Sequence, residues 1–171
     1  MNRVEGLLRE GYAAEEAGDL EHARWCFETA AHLGETIGMT WLGYMFDTGV
    51  GVTVDKAEAM RWYRRAWRQR CDTAANNIAI LYRERGDHRA MFRWFQRSAA
   101  AGNGDAYLEI AKCYLSGVGV RRSHALAVRS VAAVLTHEYV TEASVEEAEA
   151  MMADLRPRLV ATAPPTSSPR R

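Results

Sequence analysis

Apolar residues recur every three or four positions along most of the chain, and turns that contain glycine interrupt them. Ala14 precedes the first such turn, at Gly18, and Ala23, Phe27 and Ala30 follow it on one helical face. A helix, a tight turn and a second helix packed back on the first produce this pattern. Its continuation predicts an all-α protein without strands, with helices at residues 2–17, 20–33, 36–48, 54–69, 72–85, 88–101, 104–116, 122–136 and 142–155.

The pattern is duplicated at an offset of 68 residues. Gly18-Asp19 recurs as Gly86-Asp87, and Gly49-Val50-Gly51-Val52 recurs unchanged as Gly117-Val118-Gly119-Val120. The first glycines of these four turns are 31, 37 and 31 residues apart, so each half of the duplication holds two helical pairs. A repeat of this period is typical of a helical solenoid.

One segment carries a more specific motif. Residues 42–52, LGYMFDTGVGV, are followed by Asp55-Lys56-Ala57 and by Trp62-Tyr63-Arg64-Arg65-Ala66, and residues 110–120 repeat the first part. This motif resembles the Sel1-like repeat, which is related to the tetratricopeptide repeat. The resemblance covers about residues 5–136 and implies a right-handed α-α superhelix of four helix–turn–helix repeats.

These patterns predict one solenoid domain over residues 1–160, with units at about 2–34, 35–70, 71–102 and 103–137. Ser130 stands where the second unit has Trp62, and the last repeat helix is almost continuously apolar. We expect a helix at about 142–155, opened by Thr141 or by a capping box at Ser144 and stopped ahead of Pro157, to cover it. Residues 161–171 are rich in proline, serine and threonine, which predicts a flexible tail.

Composition narrows the class of protein. The chain has 171 residues, 48% of them apolar, and no apolar run long enough to cross a membrane. Its first residues do not have the pattern of a secretory signal. The three cysteines are an odd number at wide spacings, which is typical of free thiols in a reducing compartment. We therefore predict a cytoplasmic protein without disulfides.

The zero net charge conceals a strongly uneven distribution. Residues 1–55 carry 3 basic and 10 acidic side chains, and residues 56–97 carry 11 basic and 4 acidic ones. Only 2 of the 22 basic residues, Lys56 and Lys112, are lysine, so the positive surface consists of guanidinium groups suited to carboxylate or aromatic partners. We expect a monomer, or weak self-association through the opposite charges.

The sequence shows no evident catalytic or metal-binding site. His22 and Cys26 lie four residues apart and could present two metal ligands on one helix face, but the spacing offers no third ligand. Cys71 and Cys113 have no histidine nearby in the sequence to activate a thiolate. We therefore predict no catalytic residue, no metal and no cofactor.

Arginines form two rows at helical spacing, mostly on the second helices, which the resemblance places on the convex surface. We interpret them as a solvated face paired with carboxylates or, alternatively, as a secondary docking patch for an acidic protein. The zero net charge and the lack of a nucleic-acid-binding motif argue against nucleic acid. The rows comprise Arg61, Arg64, Arg65, Arg68, Arg85, Arg89, Arg93 and Arg97.

The first helices of a stack of helical pairs line its concave face, where such proteins bind partners. Tyrosines, aliphatic residues and mixed charges are expected on this face, a composition typical of a protein-binding groove. Tyr12 and Tyr44 could instead belong to packing between repeats. The residues predicted to face the groove are Leu8, Tyr12, Glu15, Thr40, Tyr44, Asp47, Asn76, Ile80, Arg83, Leu108, Lys112 and Leu115.

Three functions follow as hypotheses. The first is a non-catalytic adaptor or scaffold that binds another protein or a peptide on the concave face. The second is a dedicated inhibitor or immunity-type partner of a toxic effector protein, suggested by four units without a fused catalytic domain. The third, a hydrolase, has no candidate set of catalytic residues.

Overall fold

The computed structural model describes residues 3–161, with side chains described as far as Leu155. Nine α-helices and no strand occur in this range. The helices are α1 (Arg3–Glu16), α2 (Leu20–His32), α3 (Thr36–Thr48), α4 (Lys56–Trp67), α5 (Asp72–Glu84), α6 (His88–Ala100), α7 (Ala106–Ser116), α8 (His124–Thr136) and α9 (Glu142–Ala161). None of these helices is long and apolar enough to span a membrane.

The helices pack in chain order. Each helix lies mainly against the helix before it and the helix after it, as expected for a stack of helical pairs. The predicted all-α solenoid with a C-terminal capping helix is confirmed. The predicted helix bounds agree with the structure within two residues, apart from the end of α9.

The expected stop of α9 ahead of Pro157 is wrong, because the helix continues to Ala161. A proline inside a helix removes one backbone hydrogen bond, to the carbonyl four residues earlier. That residue is the exposed Ala153, whose carbonyl water can hydrate, while Leu155 anchors the same turn in the core. Most of the predicted tail, residues 162–171, lies outside the described residues.

The turns repeat with the sequence because their chemistry is local. Gly49 and Gly117 end α3 and α7 with φ values of 81° and 78°, a left-handed conformation that glycine adopts without strain. Asp19 and Asp87, also 68 residues apart, cap α2 and α6 by accepting backbone hydrogen bonds from His22 and Ala90. Duplicated sequence therefore produces duplicated turns.

Close helix crossings depend on small residues. Gly43 of α3 lies against the ring of Tyr63 on α4, so closely that a Cβ atom at this position would overlap the ring. Tyr63 is only 1% exposed and fills the space that the glycine leaves. The hydroxyl of Tyr63 donates to Asp47 Oδ2 at 3.5 Å, and burial together with this carboxylate raises the pKa of Tyr63 far above its usual value.

The core is divided in two. The larger part extends from Ala14 to Cys113 through the helices α1–α7. The smaller part lies under α9, where buried side chains from α7, α8 and α9 meet. Its buried members are Leu108, Ala111, Val131, Val134, Ala148, Met152 and Leu155.

The terminal helix covers only part of the apolar α8. Val131 is fully buried under α9, and Val128 packs against the same cluster. Leu126 and Leu135 remain 40% and 38% exposed, so the expectation that α9 covers the whole helix is wrong. A single helix can lie along only one side of another, and α9 also packs on α7.

Of the two predicted starts for α9, the structure shows the one at Thr141. The Thr141 hydroxyl accepts a hydrogen bond from the backbone N–H of Ser144 and donates one to Asp105 Oδ1 at 3.0 Å. The backbone N–H of Thr141 donates to the same Asp105 oxygen at 2.9 Å. The start of α9 is thus tied to the segment that precedes α7.

Substituting Gly43→Ala tests the close crossing of α3 and α4. We expect it to lower the free energy of unfolding by about 1–3 kcal/mol, because the new methyl group forces the buried Tyr63 ring to move. Gly6→Ala is the matched control: it lies within α1 with open space around it, and we expect no loss of stability. Urea unfolding followed by circular dichroism measures both, and equal stabilities would contradict the packing argument.

Truncation tests the role of α9. A chain ending at about residue 140 should aggregate, because Leu108, Val131 and Val134 lose their cover. A chain ending at about residue 160 keeps the buried Leu155 and should behave like the full protein. Light scattering and thermal melting distinguish the two, and an unchanged monomer from the shorter chain would disprove the capping role.

Candidate protein-binding surface

Three aromatic side chains from the first two helical pairs meet on the side of the first helices. Tyr12 of α1 and Tyr44 of α3 contact Trp41 edge to face, with ring centroids 5.4 and 5.5 Å from it. Tyr12 and Tyr44 are 39% and 41% exposed, whereas Trp41 is half-buried and stacks on Phe27 of α2 at 4.9 Å. We call Tyr12, Trp41 and Tyr44 the aromatic cluster.

A surface hollow of about 220 Å³ opens beside this cluster, between α3 and α5. Trp41 and Tyr44 form its aromatic wall, and Thr40, Thr73 and Asn77 add polar groups. Thr40 and Tyr44 are residues predicted to face the groove, whereas Trp41 and Thr73 were not predicted, and Asn77 lines the hollow in place of the predicted Asn76. Trp41 lies three residues before Tyr44, and this helical spacing could have indicated a shared face.

Two of the charged residues predicted to face the groove take part in ion pairs between helices. Lys56 Nζ lies 2.6 Å from Asp47 Oδ1 of α3 and 2.8 Å from Glu84 Oε2 of α5. Hydrogen bonds to Asp47 and Glu84 raise the pKa of Lys56. Arg83 of α5 pairs with Glu109 of α7. Asp47 and Arg83 are therefore occupied in ion pairs between helices.

Lys112 continues this series to the end of the solenoid. Its ammonium group lies 3.0 Å from both Glu109 Oε1 of α7 and Glu147 Oε1 of α9. Burial opposes the charge of Lys112, but the hydrogen bonds to Glu147 and Glu109 outweigh that effect and raise its pKa. Lys112 thus helps to attach the terminal helix.

Leu108 does not face the groove, so this part of the prediction is wrong. It is only 3% exposed and belongs to the core under α9, because the terminal helix packs over this part of α7. Leu115 packs against the same cluster and is half-buried. The remaining predicted groove residues, Leu8, Glu15, Asn76 and Ile80, are half-buried.

The predicted arginine rows lie on the second helices α4 and α6 and on the turns that follow α4 and α5, and all but the half-buried Arg65 are exposed. Arg61 pairs with Glu58, while Arg65 and Arg97 lie over the rings of Trp62 and Trp94. Arg64 donates to the Tyr82 hydroxyl at 3.2 Å. In the part of the chain that the structure describes, no carboxylate lies within ion-pair distance of Arg68, Arg85, Arg89 or Arg93.

The structure brings Glu10 of α1 to the His22 and Cys26 pair. His22 Nε2 lies 2.8 Å from Glu10 Oε1 and 3.8 Å from Cys26 Sγ. The sequence could not indicate Glu10, because it lies twelve residues away on another helix. The hydrogen bond between Glu10 and His22 accounts for the arrangement, so the group needs no metal to explain its geometry.

The surroundings of the three cysteines make their thiol groups poorly reactive. Burial raises the pKa of Cys26, Cys71 and Cys113, and the charge of Glu10 adds to the effect at Cys26. The pKa of Cys113 rises to about 11, mainly through burial. Nucleophilic cysteines need a lowered pKa, so these environments favour structural roles.

Comparison with known proteins agrees with this geometry. The family model of the Sel1 repeat matches residues 8–35, 36–69, 74–103 and 104–129, which is more than half of the chain. The chain therefore belongs to the Sel1 repeat family, whose members are in general non-catalytic scaffolds for protein–protein interaction. No curated protein matches the chain significantly.

Solved structures show the same fold. A Sel1 repeat protein from Oxalobacter formigenes is similar with a TM-score of 0.78 and 25% identity, over 90% of this chain and 63% of that one. The protein c5321, a protective antigen of uropathogenic Escherichia coli strains, has a TM-score of 0.54 and 16% identity, over 99% of this chain and 50% of that one. The protein MamA has a TM-score of 0.54 and 21% identity, over 90% of this chain and 82% of that one.

The raised pKa of Cys113 predicts a specific pH dependence of stability. The native state holds this proton more tightly than the unfolded state, so its stabilising effect is complete below the ordinary thiol pKa and is lost as the pH rises towards about 11. Between pH 8 and pH 10.5 we expect the wild type to lose about 2 kcal/mol more unfolding free energy than Cys113→Ala. Urea titrations at both pH values test this, and equal losses would refute it.

Proposed function

We propose that this chain is a non-catalytic interaction module that binds a protein or peptide along its first helices, with the aromatic cluster as the anchor. The observation that carries the proposal is the pair of half-exposed tyrosines, Tyr12 and Tyr44, that flank Trp41 beside an open hollow. Exposed rings in fixed positions bury a large area on binding while losing little conformational entropy.

The surroundings of the cluster support the same function. Trp41 is held by its stack on Phe27 and by edge contacts with both tyrosines, so the surface is ordered before a partner arrives. Thr73 and Asn77 supply hydrogen-bonding groups next to the rings. An aromatic centre with a polar rim is typical of the energetically dominant part of a protein interface.

A dedicated inhibitor of a toxic effector protein is the alternative. The exposed arginines Arg85, Arg89 and Arg93, which have no carboxylate partner among the described residues, favour it because they would accelerate association with an acidic protein. Such an inhibitor should form a one-to-one complex of nanomolar affinity, whereas an adaptor should bind several partners more weakly. The three unpaired thiols support a cytoplasmic location for either function.

Binding by two variants tests the proposed surface. Affinity capture identifies the partner, and calorimetry with the purified partner follows. Tyr44→Ala should weaken binding by about 2 kcal/mol, because it removes an anchor ring. Tyr139→Ala is the matched control, since this tyrosine is 72% exposed and its ring contacts His137 after α8, and it should bind like the wild type.

Substituting both Arg89 and Arg93 by glutamate distinguishes docking at the aromatic cluster from docking at the exposed arginines. If these residues only steer the partner, the association rate and its salt dependence should fall while the dissociation rate stays nearly constant. Loss of binding in this variant, with normal binding of Tyr44→Ala, would move the docking surface to the second helices. Normal binding of both variants would contradict the proposal.

A further inference from the structure

The duplication allows each residue of the second half to be compared with its counterpart 68 positions earlier. A hollow of about 450 Å³ lies in the second half, on the side of the second helices, between α6 and α8. The residues that line it include Ala99, Ala100, Ile110, Leu126, Ser130 and Ala133.

In the first half, the equivalent place is occupied by large side chains. Ser130 corresponds to Trp62 of α4, whose ring lies edge-on to His32 of α2 at 6.3 Å and has the Arg65 guanidinium 5.3 Å from its centroid. The counterparts of His32 and Arg65 are Ala100 and Ala133. Each of these three residues in the second half is smaller than its counterpart. The hollow therefore corresponds to the space that the side chains of Trp62, His32 and Arg65 fill in the first half.

The hollow suits an apolar ring. Ala99 and Ile110, each 6% exposed, contribute buried apolar surface, and Leu126 offers an exposed apolar rim. The Ser130 hydroxyl donates to the backbone carbonyl of Leu126 at 2.9 Å, so it needs no polar ligand. An aromatic side chain from outside would regain contacts that Trp62 makes within the first half.

The positive charge of Arg129 at the rim of the hollow favours a ligand that also carries a carboxylate. Arg129 lines the hollow and corresponds to Arg61, which pairs with Glu58 in the first half. The counterpart of Glu58 is Leu126, and no carboxylate lies within ion-pair distance of Arg129 among the described residues. A carboxylate next to the incoming ring would replace the missing pair.

We propose that this hollow is a second docking site, which takes a tryptophan side chain of a partner protein with an acidic residue beside it. It is separate from the aromatic cluster and does not depend on the function proposed for that cluster. The chain's own C-terminal residues 162–171 do not have this chemistry, because they contain no aromatic residue and end in two arginines.

A short peptide of sequence Asp-Trp-Glu, blocked at both ends, is a suitable probe. Titration of the full protein up to millimolar peptide, followed by ¹⁵N–¹H correlation spectra, should shift resonances of residues around the hollow. The same peptide with alanine for tryptophan should not bind, and one with lysines for both acids should bind several-fold more weakly. Equal shifts with all three peptides would overturn the proposal.

Variants of the protein complete the test. Ser130→Trp refills the hollow as in the first half and should weaken peptide binding at least about tenfold without lowering the melting temperature. Arg129→Glu should weaken it several-fold, and Tyr44→Ala should leave it unchanged. If Ser130→Trp does not fold, Ala133→Arg narrows the same hollow and should also weaken binding. Unchanged binding by the folded hollow-filling variant would disprove the site.

A second copy of the chain is the competing occupant. Trp25 of α2 is 54% exposed and lies between Glu21 and Glu28 on the same helix, so it has the stated chemistry. Analytical ultracentrifugation of the wild type, Trp25→Ala and Ser130→Trp decides between the two. Self-association that both variants abolish would overturn the proposal of a foreign partner, and a monomeric wild type that binds the peptide would support it.

Discussion

The stacking of each helical pair on the next is the constraint that governs this structure. A single pair of short helices cannot bury its own apolar side, so each pair depends on a neighbour. An aromatic contact crosses every junction between the four pairs, with ring centroids 4.9 to 5.6 Å apart. These contacts are Phe27–Trp41, Trp67–Trp94 and Phe92–Tyr114. The rings form part of one core that runs through α1–α7.

The same constraint explains which side chains are covered and which stay exposed at the C-terminal end of the stack. The fourth pair has no fifth pair to cover it, and α9 takes that place with Ala148, Met152 and Leu155. Because α9 also covers part of α7, Leu126 on the other side of α8 stays exposed. That exposed side borders the hollow left by Ser130, so the chemistry of the second half differs from that of the first although the backbone is repeated.

Packing and the proposed binding surface share residues on the side of the first helices. Trp41 stabilises the junction through Phe27 and also presents an edge between the half-exposed Tyr12 and Tyr44. Packing between repeats and the proposed groove role of these tyrosines are therefore compatible, because the rings contact the core at one side and solvent at the other. Towards α9 the first helices instead carry an ion-paired series that ends at Lys112 and Glu147.

The sequence by itself determined the helices, their order and their turns. Gly49 acts on its own few residues, so spacing alone located this turn correctly, whereas the capping role of Asp19 emerged from the structure. Only the tertiary structure decided which apolar faces are covered. Leu108 is buried because α9 packs over it, and Glu10 reaches His22 because α1 and α2 are antiparallel. Helical periodicity reports that a face is apolar, but the identity of what covers that face depends on contacts between segments distant in the chain.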